Sequence, residues 1–395
     1  MELNRRNFLR LTGVGVAGSL ISVNAGAKTM AAKSLSPIAK PEKIIYRKLG
    51  KTGITLPVVS MGVMRVDNEN IINAAYEAGI RHFDTAHSYQ GGKSEEMLGQ
   101  ILKSRKRDSF VVATKISTRN TVDPEKELTD SLELSLKRLQ MDYVDILYLH
   151  GVNKRDDVLN EKILKTFQKF KAQGKAKFIG VSTHSNMPEV IRAVVESKVW
   201  DVVLTTYNFL NMKNPADVKK AAEEAHNAGI GLIAMKTVAG SGYWDRERTK
   251  KINATAALKW ALQDEFITTS IPGVTSFEQL QENVKVMSDI TLTAQEKQDL
   301  KIDSAITGLF CLGCEQCLAQ CPNNAPIPDM MRAYMYAYGC RDTKMARDVI
   351  DQLPEAKKAC TLCPTCNVEC TLGFAIQDKA KDILRIESVP REFLV

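Results

Sequence analysis

Three groups able to hold charge or move protons stand directly behind apolar runs. Asp84 follows IRHF, Lys115 follows FVVAT, and His150 follows YVDILYL. Ser182 ends KFIGV, Tyr207 and Asn208 follow DVVLTT, and Lys236 follows IGLIAM. Any one of these alone reads as a solvated loop residue or half of a structural ion pair. An aspartate, a lysine and a histidine at three consecutive run ends form a set suited to acid–base work, provided the fold gathers those ends. A second chemistry is written in the last quarter of the chain, where all nine cysteines lie. Cys311, Cys314, Cys317 and Cys321 have the spacing C-x2-C-x2-C-x3-C, followed by Pro322. Cys360, Cys363, Cys366 and Cys370 repeat it, with Thr371 in the place of the proline. Such spacing lets three thiolates converge on one iron–sulfur cubane. Disulfides and paired zinc sites are the alternatives. Disulfides do not call for a duplicated tight spacing, and zinc usually takes two separated pairs. The quartets therefore read as ligands of two 4Fe–4S clusters, with Cys340 left over as a buried thiol.

The first set needs elements to position it, and these run from Ile44 to about Ile290. Eight short apolar runs, LPVVSMGV, IRHF, FVVAT, YVDILYL, AKFIGV, DVVLTT, IGLIAM and ITTSI, alternate with amphipathic stretches. The latter include NENIINAAYEAG, DPEKELTDSLELSLKRLQ, NEKILKTFQKFKAQG and PADVKKAAEEAHNAG, each with helical periodicity. Several end in glycine, the usual helix terminator. Eight strands alternating with helices over such a length predict an α/β fold, the closed (β/α)8 TIM barrel. An open doubly wound sheet would need a glycine-rich phosphate turn after its first strand, and MRVDNEN stands there instead. In a closed barrel the chemistry sits on the loops after the strands, which is where the polar residues fall. The preceding IIYRKLGKTGITLPVV predicts a hairpin turning at Gly50-Lys51-Thr52-Gly53 that covers one end of the barrel.

FDTAHSY (Phe83 to Tyr89), ATK (Ala113 to Lys115) and YLHG (Tyr148 to Gly151) resemble the aldo-keto reductases. So do YRKLGKTG, the TYNFL around Tyr207, and IPGVTSFEQLQENV (Ile271 to Val284). The resemblance spans residues 44 to about 290. It implies NAD(P)-dependent hydride transfer between nicotinamide and a small carbonyl or alcohol substrate. It also implies a catalytic set of Asp84, Tyr89, Lys115 and His150. Tyr89 would be the general acid/base, with Lys115 lowering the pKa of its phenol, Asp84 holding Lys115, and His150 orienting the carbonyl. By the same resemblance Tyr207 would stack on the nicotinamide and Ser182 would bond its carboxamide. Gly273, Thr275 and Ser276 would hold phosphate, helped by Lys236, and Gln279 and Asn283 would meet the adenine end. Thr183 and Leu204 replace the Asn and Gln usual beside the carboxamide, and no arginine stands in the phosphate loop, so NADP and NAD both remain open. His87 is a candidate for the substrate pocket or a surface residue. His82, His184 and His226 read as ordinary histidines. The loop GSGYWDRERTK, with Tyr243 and Trp244, is the expected substrate wall.

The cysteine-rich tail resembles the helical ferredoxin-type domains fused to some aldo-keto reductases, with helices expected in APIPDMMRAYMYAYG and TKMARDVIDQLPEAKKA. On the two-cluster ferredoxin pattern the fourth cysteine of each quartet serves the other cluster. One cluster would take Cys311, Cys314, Cys317 and Cys370, the other Cys360, Cys363, Cys366 and Cys321. Residues 291–395 thus form a linker helix and an iron–sulfur unit.

At the other end, Arg5-Arg6, a glycine-rich apolar stretch from Leu11 to Val23, and Ala25-Gly26-Ala27 occur in the order of a twin-arginine export signal. The signal spans residues 1–27 and a flexible linker residues 28–43, which predicts a periplasmic protein exported in the folded state. The net charge of +8 comes from scattered basic residues, so no nucleic-acid partner is inferred. No apolar run is long enough for a stable membrane span. The leading functional expectation is an aldo-keto reductase with an iron–sulfur module, whose clusters are either structural or exchange electrons with an external partner. The alternatives are an iron–sulfur electron carrier or a nicotinamide-sensing module whose barrel is catalytically weak.

Overall fold

The computed structural model describes residues 38–118, 123–210, 215–239, 252–301, 311, 313, 315–370 and 373–394. The export signal, most of the linker, the loop with Tyr243 and Trp244, and Cys314 lie outside the described residues. An antiparallel hairpin comes first, β1 (Tyr46–Lys48) against β2 (Thr55–Pro57). Eight parallel strands follow in sequential order: β3 (Met61–Gly62), β4 (His82–Asp84), β5 (Val111–Ile116), β6 (Val144–Leu149), β7 (Ala176–Thr183), β8 (Val202–Thr206), β9 (Gly231–Met235) and β10 (Ile267–Ser270). Parallel bridges Val59–Ser270 and Gly62–Gly273 join the first strand to the last. The result is the (β/α)8 barrel the alternation predicted. The run LPVVSMGV does not form one strand. Its first part pairs with Tyr46–Lys48, Val59 bridges to Ser270 of the last strand, and Met61–Gly62 pairs with the next barrel strand.

The hairpin plugs the end of the barrel away from the strand carboxyl ends. Its turn lies against the start of β9, where the Lys51 amide donates to the Gly229 carbonyl at 2.8 Å. Gly50, at φ 50°, has room for no side chain: a Cβ would stand 2.4 Å from the Gly229 oxygen.

Strand parity sorts the core into two layers. Leu56, Ala113, Ile146, Tyr148, Leu204 and Ile233 meet inside the barrel. Phe83, Leu147, Val181, Val203 and Leu232 face outward onto the helices. The outer helices carry matching apolar stripes. Pro124–Leu139, capped by Asp123, buries Leu128, Leu132 and Leu136. Glu161–Ala172, capped by Asn160, buries Ile163, Phe167 and Phe170.

The C-terminal residues build a second core. Helices Ile327–Tyr334, Thr343–Asp351 and Ile376–Leu384 bury Met330, Met331, Met345, Ile350 and Ile383 among themselves. The first of these runs on into a π-helical turn, Met335–Gly339. The same cluster packs against Met64 and Tyr89, so this unit sits over the carboxyl ends of the barrel strands. Among the described residues no helix is long and apolar enough to cross a membrane.

Candidate active site

Parity places the key side chains. Asp84 shares the inner face of β4 with His82, Lys115 that of β5 with Ala113, and His150 continues the inward series of Ile146 and Tyr148. The Lys115 ammonium donates to Asp84 Oδ1 and, at 2.6 Å, to the Thr85 carbonyl. It also stands 4.9 Å from the centre of the Tyr89 ring. The rings of Tyr89 and His150 meet edge to face with centroids 5.8 Å apart. The four groups are therefore brought to one place.

Tyr89 is aimed by a strained loop. It opens a 3-10 turn in which Gln90 has φ 52°, and the Gln90 amide donates to the carbonyls of Met64 and Val66 at 3.0 and 2.8 Å. The Arg138 guanidinium braces the loop from behind, donating to the His87 carbonyl at 3.0 Å and pairing with buried Glu95 at 3.3 Å. Glu95 in turn accepts from Thr114 at 2.6 Å. Gly92, at φ 99°, leaves Arg138 its space, because a Cβ there would fall 2.3 Å from the guanidinium carbon. His87 belongs to this brace, with Nδ1 3.1 Å from the Ser135 hydroxyl, and not to the cavity.

The electrostatics correct one expectation. Burial, then the Asp84 charge, then Cys340 push the Tyr89 phenol above its ordinary value rather than below it. The cation expected to lower it is already held by Asp84. Burial likewise drives Asp84 up and Lys115 down, against their mutual attraction. Burial, Lys115 and Arg332 hold the His150 imidazole down to about 3, so it is neutral across the physiological range. The outcome is a neutral phenol and a neutral imidazole beside a fixed ammonium. That combination can donate a proton or a hydrogen bond to a developing oxyanion.

Tyr89 and Asp84 open on a cavity of about 480 Å3. Asp84 Oδ2 is buried without a hydrogen-bond partner among the described residues, leaving an acceptor beside this space. Away from Tyr89 the cavity runs along the helix Phe277–Val286, which presents Gln279, Glu282 and Asn283 to it. Gly273 and Thr275 line the approach to that helix. Gln279 Oε1 accepts from the Thr275 amide at 2.7 Å, and Ser276 caps the helix by accepting from the Gln279 amide at 3.3 Å. Lys236 also reaches the cavity. By parity it belongs to the outer face, and its φ of 57° turns it in. Burial and Arg332 lower its ammonium to about 7, with Cys311, Cys340 and Asp329 opposing.

The aldo/keto reductase family model matches residues 60–255 and 246–303, which covers most of the barrel. The chain belongs to the aldo/keto reductase family. It is accordingly an oxidoreductase, of a family that uses NAD(P). It is 28% identical over 327 residues to L-glyceraldehyde 3-phosphate reductase of Escherichia coli K12, covering 66% of this chain and 93% of that protein. It is also 28% identical over 308 residues to L-galactose dehydrogenase of Arabidopsis thaliana, covering 67% of this chain and 94% of the relative. The holo form of the aldo-keto reductase AKR11C1 from Bacillus halodurans superimposes with a TM-score of 0.55 at 25% identity, covering 66% of this chain and 96% of the other.

Cofactor-site expectations for this reductase divide. Lys236, Gly273, Thr275, Gln279 and Asn283 line the cavity; Ser276 supports it as a helix cap. Ser182 faces inward, but its hydroxyl accepts from the Gly151 amide at 2.9 Å and holds the turn after His150. Tyr207 is a correction. It has the parity of Val203, so it points outward, fully buried, stacked 5.5 Å from Trp260 and donating to Asp264. It cannot stack on a nicotinamide in the cavity. Among the cavity residues that escaped the sequence reading are Arg65, His184, Glu282 and Tyr336. Arg65 and Glu282 lie outside the quoted strand ends. His184, two residues past Ser182, was readable as a strand-end residue. Tyr336 comes from the C-terminal unit, and no local pattern could place it.

That unit also gathers thiols. Cys321 stands with Cys360, Cys363 and Cys366, none bridged to another. Burial first, then Cys321, Cys366 and Cys363, push the Cys360 thiol up to about 11. The Asn323 amide donates to Cys363 Sγ at 3.2 Å. Gln320 and Glu369, the neighbours of Cys321 and Cys370, are tied reciprocally: the Gln320 amide donates to the Glu369 carbonyl at 3.2 Å and accepts from the Glu369 amide at 2.8 Å. Among the described residues no three His, Cys, Asp or Glu side chains converge on a position for a single metal ion.

Proposed function

We propose that this aldo/keto reductase transfers hydride between a nicotinamide dinucleotide and a small carbonyl or alcohol substrate, with Tyr89 as the general acid and base. The observation that carries the reading is the buried Lys115–Asp84 pair directed at the Tyr89 ring beside a cavity of about 480 Å3. That volume lies within the range of cofactor clefts. A bound nicotinamide supplies the hydride. Lys236, Gly273, Thr275, Gln279 and Asn283 are the residues available to hold the dinucleotide, with the helix N-terminus favouring phosphate. Glu282 on the same helix face disfavours a 2′-phosphate, so NAD is the expected cofactor. In reduction, His150 hydrogen-bonds the carbonyl oxygen, and Tyr89 protonates that oxygen as charge builds on it. Lys115, fixed by Asp84, stabilises the resulting phenolate. In oxidation the proton travels the other way.

The C-terminal unit is read as a ferredoxin-type module holding two 4Fe–4S clusters, and the thiols fit this. The interaction of Cys360 with Cys321 as well as with Cys363 and Cys366 supports the crossed ligand pattern, and the Gln320–Glu369 bonds hold the two quartets side by side. A cubane is wider than one ion, so its ligand sulfurs need not meet at a point. Such clusters supply one-electron transfer, with an external partner to exchange electrons. Export by the twin-arginine route, after cluster insertion in the cytoplasm, completes the proposal.

The test is turnover of a panel of aldehydes by anaerobically purified holoenzyme with NADH and NADPH. Nicotinamide-dependent reduction abolished by Tyr89→Phe supports the reading. Equal rates in Tyr89→Phe overturn it.

A further inference from the structure

A second chamber, of about 50 Å3, lies beyond Tyr336 and His184, the two side chains it shares with the large cavity. The barrel walls it with Ser88, Ser117 and His150, and the C-terminal unit with Arg332, Asp348 and Gln352. These groups include hydroxyls that give and take hydrogen bonds, a guanidinium that only gives, a carboxylate that only accepts, and a carboxamide that does both. Met345 and Val349 supply an apolar remainder. The charged members are held in position: Arg332 pairs with Asp329 at 3.0 Å, and Asp348 with Arg391 at 2.9 Å. Each of these charges already has an ion-pair partner within the protein, so neither is a free counter-ion for a carboxylate or phosphate. A hydrocarbon chain would leave these polar groups facing carbon, which is costly. Gln352 is exposed, so the chamber reaches the surface. Its volume admits roughly three to five water-sized groups.

We propose that this chamber is a substrate subsite, built half by the barrel and half by the C-terminal unit, that takes the hydroxylated tail of a short neutral polyhydroxy carbonyl compound. The assignment rests on Tyr89 and His150 being the carbonyl end of the site, because His150 forms the chamber's inner wall. Tyr336 is then the specificity-determining side chain at the junction, and the π-helical turn that carries it is a feature frequent at functional sites.

Two probes of equal chain length test this, a tetrose and butanal, with the matching tetritol as an unreactive ligand. The wild-type holoenzyme should favour the tetrose in kcat/KM. The ratio should fall by roughly three- to tenfold in Gln352→Ala and in Arg332→Lys, the scale of one lost hydrogen bond. Misfolded protein lowers both rates and leaves the ratio alone, so the ratio reads the chamber. Calorimetry should show tetritol binding weakened by a similar factor in both variants. An unchanged ratio with unchanged tetritol binding overturns the subsite. Failure of both aldehydes to react in the wild type, while tetritol binding still responds to Gln352→Ala, removes the catalytic reading and leaves the subsite standing.

Discussion

Lys115 and Asp84 form an ion pair sealed from bulk water, their side chains 1% and 2% exposed. A pair so placed has two jobs that substitutions separate. Tyr89→Phe keeps the pair and removes only the phenolic proton. It should lower kcat by about 10²- to 10⁴-fold while unfolding at the same denaturant concentration. Lys115→Met removes the ammonium and leaves Asp84 buried alone. It should lose turnover to the same degree and also about 3–5 kcal/mol of stability. Steady-state kinetics with urea titrations distinguish the two. A Lys115→Met protein as stable as wild type would show that the pair is not buried as described.

The eight strands and the converging Asp84, Lys115 and His150 were legible because one-residue alternation and run ends are local signals. Tyr207 was misassigned although its signal was present: counted from Leu204, an inward residue, position 207 points outward. Lys236 fails the same count, and only its positive φ brings it inward. Tyr336, Arg332 and Gln352 were beyond reach, since they come to the barrel through packing of residues far apart in the chain.

Glu282 gives the cofactor preference a physical handle. Its carboxylate lines the cavity beside Gln279 and Asn283. A 2′-phosphate brought near it meets like charge, worth on the order of 1 kcal/mol at partly exposed positions. Glu282→Lys should therefore shift the ratio of NADPH to NADH affinity about tenfold or more towards NADPH. Fluorescence titration of both dinucleotides measures it. An unchanged ratio would place the ribose elsewhere.

His82 should make the barrel acid-sensitive. Both ring nitrogens are buried without a hydrogen-bond partner among the described residues, and burial with the Lys115 charge lowers its pKa from 6.5 to about 3. Between those values the unfolded chain binds a proton that the folded chain does not, so stability falls as pH drops through the window. The loss amounts to at most about 1.4 kcal/mol per pH unit for this side chain. His82→Leu should be as stable as wild type or more so at pH 7, and should lose less between pH 6 and 4. Urea midpoints at those pH values provide the comparison, and parallel slopes in the two proteins would refute the assignment.

The reciprocal bonds between Gln320 and Glu369 hold the residues beside Cys321 and Cys370 together. If each quartet held its own cluster, Cys321→Ser would damage only the cluster of Cys311, Cys314 and Cys317. Because Cys321 stands among Cys360, Cys363 and Cys366, the crossed arrangement predicts the reverse. Cys321→Ser should perturb the second cluster, and Cys370→Ser the first. Both variants should retain part of the iron and labile sulfide, with different paramagnetic resonance signals lost on reduction. Double variants decide the matter. Cys321→Ser combined with Cys363→Ser touches one cluster twice and should spare the other. Cys321→Ser combined with Cys317→Ser should impair both. Equal iron loss in the two double variants would sink the crossed pattern, and iron-free wild-type protein from anaerobic preparation would sink the clusters altogether.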